Sequence, residues 1–570
     1  MRISARRCAS IVCLASLLAI AGCGKHVDDN APLAYAPADT PYLFANFKPA
    51  PDDVRKAWIK RSATLMQYSS ASYKHIADSL RDRNPDLARV LDQVAVEMAD
   101  MKSPEEVVKT TGFSQAAHFA IYGIGIAPVA RMELADPNAF RALVARMEKS
   151  VGHPFVTARL DNQDYWVIGG ANDKLHLLLA VEDKQVVATL APANAEPALL
   201  KQLLGLSKPD SSAADTLARI DADHGYTDYG SGYLDLPKLL ARISDPKDPV
   251  TLAYTSGLGV SAPNDDPSCP AEFASIGAQA PLASFGYQQF EANQIRGSLD
   301  ISLSAPLRGL LMAMKQPVPG MTAAADSSLL DVVIVLPLQK LQAFWQARAQ
   351  AVAAQPYKCP SLAMLNQGFQ AMANALQQQQ LPPQAASILG ARFTLDQLVL
   401  GSNPAAQTQM AGRFQLASAD TASLLGEMQK NLPQLALVDV KADGKPIAVA
   451  LPPQLQPLAG GNTQAWLAAD THSLALAFGN GEDGKLGDML KADAGDGSRL
   501  MRMHFDGKLY ATFADFSDSL AARMPPQFQA QLQQQSQMMR TYAQWLRSAD
   551  ATVSLDDGGL HLQGEVQLTQ

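Results

Sequence analysis

The sequence lacks the short motifs by which most catalytic and metal sites are recognised. No two of its nine histidines have HExxH or HxxxH spacing, and it contains neither a CxxC pair nor a GxSxG nucleophile elbow. Aromatic residues make up only 6% and charged residues 18% of the 570 residues, with a net charge of −8. An acidic chain has no electrostatic footprint for nucleic acid. We therefore expect no nucleic-acid partner, no metal, no cofactor and no catalytic residue, and hence a protein that is not an enzyme.

Long apolar runs are also missing, apart from one at the start of the chain. A basic stretch with Arg2, Arg6 and Arg7 precedes an apolar run over residues 11–20, which is too short to span a bilayer. The run ends in LAIAGC, residues 18–23, which resembles the lipobox of bacterial lipoproteins. The resemblance implies a signal peptide over residues 1–22, cleavage before Cys23, and acylation of that cysteine. The alternative is an ordinary signal peptide with a chance cysteine.

The residue after the cysteine bears on the location of such a lipoprotein. Lipoproteins of this class that stay in the inner membrane carry Asp there, whereas Gly24 follows Cys23 here. The resemblance therefore implies an outer-membrane anchor, with the protein facing the periplasm, and more than one acyl chain makes such an anchor stable. Residues 23–38 then form a lipidated tether, because 24–38 are polar and rich in Ala and Pro.

Cysteine usage leaves one pair in the mature chain. Cys8 and Cys13 belong to the predicted signal peptide and Cys23 to the anchor, so Cys269 and Cys359 remain in an oxidising compartment. Both precede a proline, which fits the first turn of a helix. We predict a disulfide between them, closing a loop of about 90 residues. Two free buried thiols are the alternative.

Four features recur in the same order in the two halves of the chain. They are an apolar strand before a Trp-bearing helix, an Arg-bearing strand before an acidic helix cap, a hairpin before a Leu-rich helix, and a strand and helix around an Asp. The matching segments are 42–58 and 332–345, 131–147 and 413–428, 177–203 and 466–490, and 232–242 and 512–523.

The recurrence predicts an internal duplication in an α+β protein. We expect two similar tandem modules, residues 39–305 and 326–570, joined by a junction at 306–325, each an antiparallel sheet with helices packed on one face. The disulfide would then clamp the two modules together. The alternative is a chance match between generic strand–helix units.

One segment, GNGEDG at residues 479–484, matches the dinucleotide-binding pattern GxGxxG between a strand and a helix. Its two acids would repel a pyrophosphate, and the corresponding loop at 191–196 contains no glycine. We interpret it as a turn.

The recurring polar and aromatic residues have structural interpretations. Arg131 and Arg413 are expected to pair with acids, and Trp58 and Trp345 to anchor the core. The recurring aspartates are expected to cap helices; they are Asp136, Asp235, Asp420 and Asp515.

The segment ADTPYLFANF at residues 38–47 resembles the opening strand of large periplasmic proteins that belong to an uncharacterised family of unknown function. The resemblance implies an envelope lipoprotein without assigned chemistry. Our leading hypothesis is a non-enzymatic binding or scaffold module with an envelope protein as partner. The second is a carrier or chaperone for a lipid or other apolar ligand, since strands such as 175–181 are apolar on both faces. An envelope hydrolase is the third. An apolar cavity would favour the carrier, and a filled core with an exposed apolar patch the scaffold.

Overall fold

The structure is a computed structural model that describes residues 25–569, with gaps at 26, 83–84, 102, 171, 246, 258–265, 324–327, 379–380, 402–408, 432–434, 437, 452, 454–455 and 457–462. The predicted signal peptide (1–22) and Cys23 lie outside the described residues. None of the described helices combines the length and the hydropathy that crossing a bilayer requires.

The first half of the chain alternates short strands with helices. Its strands are β1 (Tyr42–Ala45), β2 (Phe119–Ile124), β3 (Ala127–Glu133), β4 (Val156–Leu160), β5 (Gln163–Ile168), β6 (Leu175–Glu182), β7 (Gln185–Pro192), β8 (Ser231–Asp235), β9 (Leu282–Phe290) and β10 (Gln294–Ser302). Its helices are α1 (Asp52–Leu80), α2 (Pro85–Asp100), α3 (Pro104–Thr111), α4 (Pro137–Val151), α5 (Pro197–Leu204), α6 (Ala214–His224), α7 (Leu236–Ile243), α8 (Pro249–Gly257), α9 (Ser268–Gly277) and α10 (Ala305–Met312).

The second half follows the same alternation with fewer helices described. Its strands are β11 (Leu330–Val335), β12 (Ile388–Val399), β13 (Gln409–Ser418), β14 (Ile447–Ala450), β15 (Gln464–Ala469), β16 (Ser473–Phe478), β17 (Arg499–Asp506), β18 (Leu546–Leu555) and β19 (Gly559–Leu568). Its helices are α11 (Leu338–Ala354), α12 (Ala363–Gln378), α13 (Thr421–Asn431), α14 (Leu486–Leu490), α15 (Lys508–Ala521) and α16 (Pro526–Trp545).

The strands of the described residues form one continuous antiparallel sheet, 19 strands in all. The order in the first half is β4-β5-β6-β7-β3-β2-β1-β8-β9-β10. The order in the second half is β14-β15-β16-β13-β12-β11-β17-β18-β19. The two orders correspond strand for strand, with β4 as the extra strand of the first half. The α+β class predicted from the sequence is confirmed.

The two halves of the sheet meet where β10 pairs with β19, from Gln294 opposite Gln567 to Ser302 opposite Gly559. Each of these strands begins after a tight hairpin, at Gln294 in one and at Gly559 in the other. Ser298 and Gln563 are both the fourth residue after that point, and they lie opposite each other across the seam. The seam is therefore formed by equivalent positions of the last strand in each half.

Helices cover both faces of the sheet in its outer parts, whereas the sequence predicted one face only. Leu178 and Ala180 of β6 lie in a cluster with residues of α5 and α6, while Val181 of the same strand packs with residues of α4. In the second half, Ala475 of β16 packs with α14 and Leu474 with α13. Successive residues of a strand point to opposite faces, so strands that are apolar on both sides need cover on both.

The N-terminal segment predicted as a tether is part of the folded body over its described residues, 25 and 27–38. Pro32–Tyr35 form one 3₁₀ turn, and Leu33 and Ala36 are buried in the core of the first half. Pro37 forms a bridge with Ser212. Burial of two apolar side chains here removes the freedom of a flexible linker.

Candidate functional site: an apolar face shared by both halves

A single row of laterally paired residues crosses the sheet on one face, and every member of it is apolar or glycine. The row runs from β5 in the first half, over the seam, to β15 in the second. We call the side of the sheet that carries it the apolar face. Its members are Trp166, Leu179, Ala188, Ala130, Ile121, Phe44, Gly232, Phe285, Leu299, Leu562, Val553, Met501, Ile334, Ala391, Leu416, Leu474 and Ala469.

Part of the apolar face is open to solvent in each half. Ile121 and Phe285 of the row are 42% and 36% exposed, and Phe414, two residues from Leu416 on β13 and on the same side of the sheet, is 37% exposed. The long helices nearby pack principally in pairs, α1 on α2, α11 on α12 and α15 on α16. Large apolar side chains exposed on one face in both halves are typical of a binding surface.

The opposite face is polar at the seam. Ser298 and Gln563 face each other there, and Arg296 lies 3.3 Å from the Glu565 carboxylate across the two strands. Alternation along β10 and β19 therefore places polar side chains on one side and Leu299 and Leu562 on the other. One face of the seam is therefore suited to polar partners and the other to apolar ones.

A network of titratable groups lies on this polar side and joins the two halves. His561 Nδ1 lies 2.6 Å from Asp300 Oδ1, and His561 Nε2 lies 2.8 Å from Asp556 Oδ1. Tyr226 and Ser298 donate hydrogen bonds to the other oxygen of Asp300. Burial opposes the charged form of His561, but its two carboxylate partners raise its pKa above the usual value. Both ring nitrogens are engaged by acids, so this histidine is not placed to activate a serine.

A buried cluster of charges lies on the opposite face within the second half. Arg392 donates two hydrogen bonds to Asp331, at 3.1 and 3.0 Å, and Arg502 donates one at 2.6 Å. Asp331 is fully buried and the two arginines nearly so. The second bond of Arg502 goes to the carbonyl of Gly320. The arrangement satisfies the Asp331 carboxylate with three hydrogen bonds from arginine and leaves it no exposed surface.

The recurring arginines pair with acids, as predicted. Arg131 bonds to Glu182, and Arg413 Nη2 lies 2.9 Å from Asp396 Oδ2. Arg413 Nε also lies 3.2 Å from Glu482. Burial, and then the hydrogen bond that Glu482 donates to Asp396, raise the pKa of Glu482. Both arginines are buried, which makes these pairs structural.

A cavity of about 530 Å³ opens beside Arg131 between β3, β7 and the N-terminal segment. It is lined by Tyr35, His118, Glu133 and Glu182 among others, so polar and apolar groups share its wall. His118 Nδ1 lies 2.9 Å from Glu133, and that hydrogen bond raises the pKa of His118. This cavity is not the apolar one that would mark a carrier.

Cys269 and Cys359 form a disulfide, with a sulfur–sulfur distance of 2.04 Å. Cys269 lies in the first turn of α9, and Cys359 precedes the 3₁₀ turn Pro360–Leu362. The Glu272 carboxylate accepts hydrogen bonds from the N–H groups of Lys358 and Cys359, at 2.8 and 3.0 Å. The disulfide thus joins a helix of the first half to a loop of the second.

Two of the sequence interpretations hold in local detail. The GNGEDG segment is a turn after β16, in which Gly479 and Gly481 have φ of +94° and +78°. Asp136 accepts hydrogen bonds from Asn138 and Ala139 at the start of α4, and Asp235 from Lys238 at the start of α7. Asp420 accepts one from Ser423 before α13.

The prediction for Asp515 is wrong. Residues 512–516, expected as a strand, lie within helix α15, and Asp515 pairs with Arg540 on its surface. The strand that corresponds to β8 is β17, and it ends at Asp506, whose carboxylate accepts a hydrogen bond from the N–H of Lys508. The residue that corresponds to Asp235 is therefore Asp506, nine residues before Asp515.

The prediction that Trp58 and Trp345 anchor the core is also wrong. They are 39% and 41% exposed, on α1 and α11, which are the first helices after the first strand of each half. Sequence reasoning did not find the apolar face as a site, although strands that are apolar on both sides, such as β6, carried the signal. An open apolar face and a covered one have the same sequence pattern.

No family model, curated protein or solved structure matches the chain. Among the described residues, no group of three or more histidines, cysteines and acids is arranged to hold a metal ion.

Proposed function

We propose that this chain is a non-enzymatic envelope lipoprotein, anchored by Cys23 to the periplasmic face of the outer membrane, that binds the acyl chains of lipids on its apolar face. The observation that supports the proposal is the row of 17 apolar or glycine residues that continues across both halves. Neighbouring strands lie about 4.8 Å apart, so the whole row extends for roughly 75 Å across the sheet. Its ends at Trp166 and Leu474 pack against helices, and the part between them is still long enough for an elongated ligand.

The backbone of the sheet favours an acyl chain over an extended polypeptide as the ligand. Strand neighbours already pair with each other along the row, so the face presents side chains and no free backbone groups. Burying an unpaired peptide group costs roughly 1–3 kcal/mol by protein mutational data. A hydrocarbon chain has no polar group to leave unpaired, so it suffers no such cost.

A protein partner is the second candidate, because an exposed apolar face is also what the scaffold hypothesis predicts, and a second surface favours it as well. Helix α12 exposes Met364 by 81% and the adjacent Leu365 by 41%. Methionine-rich surfaces are adaptable in binding. This patch fits the scaffold hypothesis, in which an envelope protein docks on the second half.

The test is native mass spectrometry of a soluble form that begins at Gly24 behind a cleavable signal peptide, purified from the periplasm without detergent. We expect a lipid-sized adduct that is lost on denaturation. The double variant Ile121→Ser and Phe414→Ser should reduce its occupancy, because both side chains lie on the open part of the apolar face.

The matched control is Val156→Ser, which removes an exposed apolar side chain from the other side of edge strand β4. It should leave the adduct unchanged. A ligand-free wild-type protein, or equal loss in the control, would contradict lipid binding on this face. If an envelope protein is instead crosslinked through position 364 and not through position 414, that result would favour the scaffold.

A further inference from the structure

The chain just after the predicted acylation site is fixed to the body. Lys25 Nζ lies 2.6 Å from Asp221 Oδ2 and 2.8 Å from Asp228 Oδ1, and 4.7 Å from the centre of the Phe47 ring. Lys48 approaches the other oxygen of Asp228 at 2.8 Å. Burial acts to raise the pKa of Asp228, but the two lysines lower it, so this carboxylate stays charged.

Covalent geometry then restricts the position of the lipid. Cys23 precedes Lys25 by two residues, and two residues span at most about 7 Å. In the proposed lipoprotein, an acyl chain on Cys23 would therefore start within about 7 Å of Lys25, beside the loop that follows α6. A free tether of 16 residues would impose no such restriction.

Aromatic residues at this place connect the anchor to the apolar face. Tyr229 follows Asp228, and its ring lies 6.1 Å from that of Phe290, which stacks on Tyr287 at 4.7 Å. Tyr287 and Phe290 pair with Gly297 and Ile295, on the same side of the sheet as Leu299. These three rings therefore stand where the apolar face reaches the end of β9.

We propose that Tyr229, Tyr287 and Phe290 form the membrane-contacting edge of the protein, through which lipid chains pass between the bilayer and the apolar face. The route rests on the proposed lipid-binding function. Tyrosine is enriched at membrane–water interfaces, where its ring is apolar and its hydroxyl remains hydrated. Because Lys25 and Lys48 are both paired with acids, the contact depends on acyl chains and rings more than on basic charge.

The test uses the acylated full-length protein in vesicles of phosphatidylethanolamine and phosphatidylglycerol that contain brominated lipid. A fluorophore is attached at a cysteine replacing Tyr229 in one sample and Val156, on the distant edge strand β4, in another. We expect bromine quenching at position 229 and none at 156. Equal quenching at the two positions, or none at 229, would overturn the membrane-contacting edge.

Variants of Lys25 test whether its ion pairs with Asp221 and Asp228 hold the membrane-contacting edge at the bilayer. Lys25→Ala should abolish most quenching at 229 while the acylated protein remains vesicle-bound, and Lys25→Arg should retain the quenching. The lipid adduct of the soluble form is measured separately. Loss of quenching with the adduct present would refute this edge alone, whereas quenching without any adduct would refute lipid binding alone.

Discussion

At the residue scale, corresponding positions of the two halves reach stability by different chemistry. Asp331, Arg392 and Arg502 form a buried charged cluster in the second half. The strand registers place Leu43, Ala120 and Ser231 at the same three positions of the first half. The first half thus holds no charged residue at these three positions, and its buried charges, Arg131 beside Ala120 and Asp221 beside Ser231, lie next to them.

Asp331→Asn should destabilise the protein by about 3–5 kcal/mol, because it leaves two nearly buried arginines without their shared carboxylate. Chemical denaturation followed by circular dichroism measures the change. The triple variant Asp331→Leu, Arg392→Ala and Arg502→Ser, which copies the first half, should recover most of that loss. If the triple variant were less stable than the single one, the correspondence of the halves at this site would be refuted.

His561 makes the stability of the seam depend on pH. Its folded pKa is raised above the unfolded value of about 6.5, so its contribution is complete below that pH and is lost as pH rises through the folded pKa. His561→Gln should therefore lose more stability at pH 5.5 than at pH 8. Thermal unfolding at both pH values measures the difference. An equal loss at the two would show that the pairing with Asp300 and Asp556 is not charge-assisted.

At the element scale, sequence patterns predicted most strands, hairpins and helix caps. They were wrong about the segment 512–516 and about the burial of two tryptophans. The strands 42–45 and 330–335, the hairpins, and three of four helix caps were predictable, because alternation and cap chemistry are local. The segment TFADF at 512–516 was misread, since strand propensity depends strongly on context. Trp58 and Trp345 were misread because an amphipathic helix shows which side is apolar but not what covers it.

The composition of the N-terminal segment predicted a flexible tether, whereas its described residues are packed on the body. Leu33 is buried among core residues of the first half, and Ala36 beside it is fully buried. Leu33→Ala should cost about 2–5 kcal/mol, whereas a mutation in a free linker would cost nothing. Denaturation of the soluble form measures this, with Asn30→Ala, before the 3₁₀ turn, as the nearby control. A loss below about 0.5 kcal/mol for Leu33→Ala would mean that the segment is not docked.

At the scale of the whole molecule, the halves are joined by connections of different kinds. The β10–β19 ladder joins them through the sheet, contacts between α16 and α1 join them through helices, and the disulfide joins α9 to the loop before α12. A ladder of nine residue pairs fixes both the distance and the register of the two half-sheets. The continuous apolar face depends on this ladder, because the row crosses the seam at Leu299 and Leu562.

The ladder and the disulfide therefore have separable roles. Cys269→Ser with Cys359→Ser should lower the free energy of unfolding by up to about 4–5 kcal/mol, the value expected for opening a loop of this length. The radius of gyration from small-angle X-ray scattering should stay unchanged, because the ladder still holds the halves together. Expansion of the folded double variant would show instead that the disulfide, and not the sheet, maintains the continuity of the apolar face; lipid occupancy should then fall with it.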